Sequence, residues 1–297
     1  MHLPDRLIAH PLTIDDTAVV TAVMAAQELV DLGEVVTDEA DIVARWQRPS
    51  FDVAASTVGV FDRDQLVAYA EVTDGDSGDA GVHPTYQRRG IGTALARWMQ
   101  QQARANGATV IGAPTPAESA GAKLLAGLGY HVRWTSWLLR LPPDHAIRPR
   151  ALPAGYAVRQ AEADEHRDVH KVIDDAFGEW STSGPESYED FAATVYRRPG
   201  FQPWHVRVAT DPSGAVVGAV WLTINGETGF VGKLATRRDQ RRRGIAQALL
   251  VDAYARAREH GATTYELGTD ARTGALSLYQ KLGMVITSTW PDYAIAL

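Results

Sequence analysis

QRRGIGTAL at residues 87–95 and RRRGIAQAL at residues 241–249 are two versions of one pattern, set 154 residues apart. The offset holds without a gap from 87–130 against 241–284, and 16 of those 44 positions are identical, where average residue usage gives roughly three. Gly107-Ala108-Thr109 falls on Gly261-Ala262-Thr263, and Leu128-Gly129 falls on Leu282-Gly283. Shared helix composition does not produce a gap-free register of this length, so the chain reads as a duplicated module.

Between the copies lies LPPDHAIRPRALPAG, residues 141–155, whose four prolines mark a linker. The expected boundary is near residue 150, giving domains 1–150 and 151–297, each of ordinary single-domain size. In the second copy, apolar spacing and turn signals predict a strand at 156–159 and helices at 163–177 and 187–196. Strands follow at 204–210, 215–223 and 228–236, with Asn225-Gly226 as a hairpin turn. A long helix at 244–260, a strand at 263–267, a helix at 273–282 and closing strands at 285–295 complete the module. The first copy follows the same order, with a shorter fourth strand near 80–83. The fold class is therefore α/β: a mixed sheet flanked by helices, present twice in tandem.

Arg241, Arg242 and Arg243 stand at the start of the second copy's long helix, where the positive end of the helix dipole disfavours cations by up to ~1 kcal/mol each. They are a local feature, because the 297-residue chain carries a net charge of −7 and has no broadly basic surface for nucleic acid. No apolar run spans a bilayer and no basic, apolar leader opens the chain, so a cytoplasmic protein without membrane contact is expected. The absence of cysteine excludes thiolate chemistry, and nine histidines without ligand spacing give no metal site.

These residues resemble the GCN5-related N-acetyltransferase family, whose Gln/Arg-x-x-Gly-x-Gly/Ala signature opens a helix after a strand. Here it stands as Gln87-Arg88-Arg89-Gly90-Ile91-Gly92 and as Arg241-Arg242-Arg243-Gly244-Ile245-Ala246. Unpaired N–H groups at a helix start form an anion site, and glycine lets a phosphate approach the backbone. The resemblance implies that acetyl-CoA is the cofactor and that its pyrophosphate meets these loops. The second site then comprises Leu234, Ala235, Thr236, Arg241, Arg242, Arg243, Gly244, Ile245, Ala246 and Gln247, with Arg237 and Arg238 adding charge. In the first copy the equivalents are Val82, Gln87, Arg88, Arg89, Gly90, Ile91, Gly92 and Thr93. Within the family, the tandem mycothiol synthases are similar in length and in carrying activity in the second module.

The resemblance also implies a tyrosine that protonates the leaving thiolate, which here falls on Tyr279. The first copy has Leu125 at that position, so the second module is expected to be catalytic and the first a degenerate copy. Many family members place a glutamate where this chain has Phe230, which leaves the base open. Glu227 is the nearest carboxylate in sequence, Glu266 and Asp270 flank the fifth strand, and a water chain needs none of them. The acceptor pocket expected from the resemblance nominates Glu179, Trp180, Tyr188, Trp290 and Tyr293, since aromatic faces and carboxylates attract a cationic amine. The implied activity is acetyl transfer to a primary amine of a small molecule, by a monomer of two pseudo-symmetric domains or a homodimer. A protein or peptide N-acetyltransferase and a non-catalytic acyl-CoA sensor are the alternatives.

Overall fold

Four residue pairs at the 154-residue spacing share a left-handed backbone: Arg88 and Arg242 (φ 63° and 65°), Gly90 and Gly244 (86° and 85°), Gly107 and Gly261 (81° and 94°), and Gly129 and Gly283 (88° and 90°). The repeat is thus a repeat of backbone conformation. The computed structural model describes residues 1–297 apart from 2, 5, 182 and 183.

Chain contacts divide the protein into two units, Met1–Ser136 with Ser288–Leu297, and Trp137–Thr287. The first runs β1 (Leu7–His10), α1 (Thr17–Asp31), α2 (Glu39–Trp46), the single turn α3 (Val53–Ser56), β2 (Thr57–Asp62), β3 (Gln65–Thr73), β4 (Ser77–Val82), α4 (Ile91–Ala105), β5 (Val110–Pro114) and α5 (Ala120–Gly127). Strand β6 (His131–Arg140) carries the chain into the second unit. There follow β7 (Ala157–Gln160), α6 (His166–Phe177), α7 (Tyr188–Thr194), β8 (Val206–Thr210), β9 (Val216–Asn225), β10 (Thr228–Thr236), α8 (Ile245–Glu259), β11 (Thr264–Asp270), α9 (Leu276–Lys281) and β12 (Val285–Ala296).

In the first unit the sheet order is β1-β2-β3-β4-β5-β12, and in the second β6-β11-β10-β9-β8-β7. Both sheets are covered on two faces, which explains why β3 is buried almost throughout instead of alternating. One face of the first packs Leu12, Val20, Val23, Ile42 and Trp46, and the other packs Ile91, Leu95, Met99 and Ile111. In the second unit Val169, Val172, Ile173 and Phe191 form one layer, and Leu249, Leu250, Ala253 and Leu267 the other. Helices α4 and α8 each start after a left-handed glycine and stop two residues before another, Gly107 or Gly261, the usual αL exit.

The structure corrects two expectations. The helix expected from 273 begins at Leu276, because Gly274 adopts φ 64° and Thr273 Oγ1 accepts the Ala275 N–H, fixing a turn there. The closing segment is one strand, and its last residues belong to the first unit: Asp292 to Ala296 pair antiparallel with Pro114 to Val110. Asp292 is buried and accepts from the Arg133 guanidinium. Residues 137–150 fall in the second unit, where Leu141 N–H donates to the Tyr265 carbonyl. Local periodicity identifies a strand but carries no information about which distant edge it joins.

Ending the chain after Thr287 is accordingly expected to damage the first unit selectively. Amide exchange in Val110–Pro114 should accelerate by at least tenfold while β9 and β10 keep their protection, and uniform acceleration in both units would contradict this pairing.

Candidate active site

Strand β10 pairs parallel with β11 over only four positions, Thr228↔Thr264 to Val231↔Leu267, and its pairing with β9 shifts register between Val231 and Lys233. Beyond that bulge β10 continues to Thr236 paired on the β9 side alone. The facing edge of residues 233–236 therefore carries strand groups without a ladder partner. Thr236 ends this edge, and its Oγ1 is buried without a hydrogen bond, as is Trp221 Nε1 on β9. Buried polar atoms of this kind are rare and mark a place where a further group is accommodated.

The chain then enters the Arg241–Gly244 loop. Arg242 and Gly244, both left-handed, turn the loop so that it opens into α8, whose first N–H groups have no helical acceptor. Arg241 is tied down, donating through Nε to the Thr236 carbonyl and through both terminal nitrogens to Glu179 at 2.8 and 2.6 Å. These bonds hold the Glu179 carboxyl below its usual range. Arg237 pairs with Asp239, and Arg243 donates to the Tyr156 hydroxyl. Ile245 is buried in the core, so it anchors the helix and presents only its backbone to the loop.

Tyr279, on α9, is 8% exposed, and burial pushes its hydroxyl up to about 12. It lies within electrostatic reach of Tyr254, whose hydroxyl donates to the carbonyl of Glu266, the residue beside Leu267 where β11 leaves β10. Among the described residues the Tyr279 hydroxyl makes no hydrogen bond.

The first unit repeats the loop with a different interior. Strands β4 and β5 share a single register pair, Ser77↔Gly112. A cavity of about 380 Å³ opens there, lined by Gln87, Arg88, Gly90, Gly92 and Thr93 of the loop and by Leu125, the counterpart of Tyr279. Val82 N–H, on the parted edge, already donates to Gln27 Oε1 at 2.8 Å. Tyr69 and Asp79 meet in this cavity, hydroxyl to carboxylate at 2.9 Å, and burial beside that acid raises the phenol well above its usual range. Nothing in the sequence signals this pair, because Tyr69 stands in an apolar strand and Asp79 beside a glycine.

The geometry accords with comparison to known proteins. The family model described as the acetyltransferase (GNAT) family matches residues 24–130 and 166–284, which together make up most of the chain. The chain belongs to the GNAT acetyltransferases. It is 26% identical over 280 residues to the mycothiol acetyltransferase of Thermobispora bispora, covering 91% of this chain and 92% of that protein. Among solved structures, a GCN5-related N-acetyltransferase from Sphaerobacter thermophilus superposes with TM-score 0.76 at 24% identity, covering 99% and 97% of the two chains. A tandem GNAT protein from the clavulanic acid biosynthesis pathway superposes with TM-score 0.74 at 20% identity, covering 98% of each.

This GNAT protein is an acyltransferase with acetyl-CoA as its cosubstrate. The second unit fits such a group on its own evidence: an unpaired strand edge ending in an orphaned Thr236 hydroxyl, then a loop with exposed arginines that opens onto free helix-start N–H groups. Leu234, Ala235 and Thr236 lie on that edge, and Gly244, Ala246 and Gln247 at the helix start.

The other expected site residues are scattered. Glu227 sits at the β9–β10 turn, accepting from Thr263 Oγ1, at the end of β10 opposite the loop. Four strand steps at ~3.3 Å each, about 13 Å, separate Glu227 from Val231, the last β10 residue paired with β11. Glu266 accepts from Arg140 at 2.5 Å and Asp270 from Arg272 at 2.7 Å, and both are buried in those pairs. The acceptor candidates of the second unit already hold cations of the chain. Arg241 occupies Glu179, Arg272 lies 4.8 Å over Trp180, and Arg167 lies 4.1 Å over Tyr188. Trp290 and Tyr293 lie in the first unit instead, Trp290 lining its cavity and Tyr293 packed on its core. Glu227→Gln should leave kcat/KM within twofold of the parent between pH 6 and 9, and a loss of tenfold or more would restore it as a base.

Proposed function

We propose that this protein acetylates a primary amine of a small molecule, with the chemistry in the second unit and Tyr279 as the general acid. The observation that carries the reading is a buried tyrosine that makes no hydrogen bond among the described residues and shares a core cluster with Val231 of β10 and Leu267 of β11, while Leu125 stands at the matching position of the first unit. Acetyl-CoA supplies the acyl group as a thioester. The backbone edge of β10 and the Arg241–Gly244 loop hold and orient it, and Tyr279 keeps a proton at its hydroxyl for the departing sulfur.

Tyr279 at about 12 is roughly 3.5 units weaker as an acid than a free thiol, so a separate proton transfer would cost about 5 kcal/mol. Proton delivery concerted with C–S cleavage avoids an isolated tyrosinate and suits a phenol inside an apolar core. A raised value keeps the group protonated at every pH below it. Its ionisation therefore contributes no alkaline fall in kcat between pH 6 and 10.

The similarity to the Thermobispora bispora mycothiol acetyltransferase extends over most of both chains, and favours an acceptor of the kind that enzyme's name indicates. Phe230, in place of the glutamate common in the family, leaves solvent as the route for the amine's proton. Its neighbour across the parallel ladder is Glu266, whose carboxylate is engaged by Arg140.

Two measurements test the reading. CoA release should appear with acetyl-CoA and at least one small primary amine from a panel that includes amino sugars and amino acid amides. Tight acetyl-CoA binding without turnover on any amine or peptide would favour a sensor. Tyr279→Phe should lower kcat by about 100- to 10,000-fold with the KM for acetyl-CoA unchanged, the range given by losing a general acid. Full activity in Tyr279→Phe with loss in Leu125→Ala would move the chemistry to the first unit.

A further inference from the structure

The matched glycines of the two copies have different surroundings. A side chain added at Gly90 or Gly129 would meet nothing within 4 Å. At Gly244 it would meet the stem of Arg150, with Cδ at 2.9 Å and Nε at 3.1 Å, and at Gly283 it would meet the His145 ring. Both partners come from the proline-rich linker, which the repeat does not include. Residues 145–150 therefore run from the end of α9 to the start of α8, across the mouth of the second unit's loop.

This segment is anchored. Ile147 is buried in the core shared with Leu249 and Leu250, and Gln247 Nε2 donates to the Arg148 carbonyl at 2.7 Å. Its charges are not neutralised: among the described residues no carboxylate pairs with Arg148, Arg150 or Arg242, and all three are exposed. Linker cations thus face loop cations over a glycine, in an acidic protein that carries 36 Asp and Glu residues. Like charges gathered around an anion site are stabilised when an anion enters between them.

We propose that Arg150 is a phosphate ligand of the second unit, a jaw supplied by the linker that closes on the pyrophosphate of the bound CoA opposite the Arg241–Gly244 loop. This rests on the reading that the Gly244 loop receives those phosphates. Arg150 stands over the glycine that a phosphate must approach, so its stem fills the place in the free protein and its guanidinium turns onto the anion in the complex. The first unit has no such jaw at Gly90.

Calorimetric titration of the full chain tests this with CoA, 3′-dephospho-CoA and pantetheine as probes. Arg150→Ala should weaken binding of CoA and 3′-dephospho-CoA at one site by about tenfold, in line with a charged hydrogen bond, and leave pantetheine unaffected. Arg150→Lys should recover part of the loss. A second readout is tryptic cleavage of the Arg150–Ala151 bond, which CoA should slow. Unchanged or tighter CoA binding by Arg150→Ala, or faster cleavage with CoA present, overturns the proposal and makes the linker a plug. If Arg242→Ala weakens binding while Arg150→Ala does not, only the jaw is lost. If neither moves affinity, the phosphate reading of the Gly244 loop falls and the proposal with it.

Discussion

The site depends on two parallel strands that stop being neighbours. A buried strand edge without partners is costly, since each unpaired backbone group loses about 1–3 kcal/mol. The second unit tolerates such an edge along the end of β10 because the bulge after Val231 turns it away from β11. Thr236 ends that parting edge, the Arg241–Gly244 loop follows it, and Tyr279 shares a core cluster with Val231 and Leu267. The first unit makes the same parting more severe, with one register pair, and partly heals it by bringing Gln27 to Val82 N–H. One copy of the fold thus uses a side-chain amide of its own where the other leaves strand groups open.

The arginines follow from the same constraint. A helix start that opens onto an anion site has its N–H groups aimed outward, and cations beside it repel the dipole until the anion is present. Glu179 and Asp239 neutralise Arg241 and Arg237 in the free protein. Arg242 is the exception: it adopts a left-handed backbone that a non-glycine residue takes at some cost, and Arg88 does the same in the first unit. The loop's shape is therefore built into both copies independently of how many charges each carries.

The fold was legible because its decisive signals are local. The glycines that end α4 and α8, the Asn225-Gly226 turn and the helical spacing of Val169, Val172 and Ile173 are readable within a few residues, and the 154-residue repeat doubles the first of these. The candidate site was legible along the loop for the same reason. It was not legible where a partner comes from far away. Trp180 and Tyr188 read as open aromatic faces, and only tertiary structure shows Arg272 and Arg167 lying on them. Glu227 is close to the site in sequence, and about 13 Å of strand separates it from Val231, where β10 leaves β11. Trp290 and Tyr293 follow the second copy in sequence yet belong to the first unit, and Arg150 lies outside the repeat altogether.

The return of residues 288–297 to the first unit also sets an order of assembly. During synthesis the first 136 residues emerge early, but the strand that flanks β5 and buries Asp292 against Arg133 leaves the ribosome only after the whole second unit. The second unit can complete its own sheet while the first still lacks one edge, which reverses the N-terminal-first sequence usual for multidomain chains. The open flank of β5 is then a temporary edge that a second copy's C-terminal strand could occupy in place of its own, making strand exchange the characteristic misassembly of this architecture.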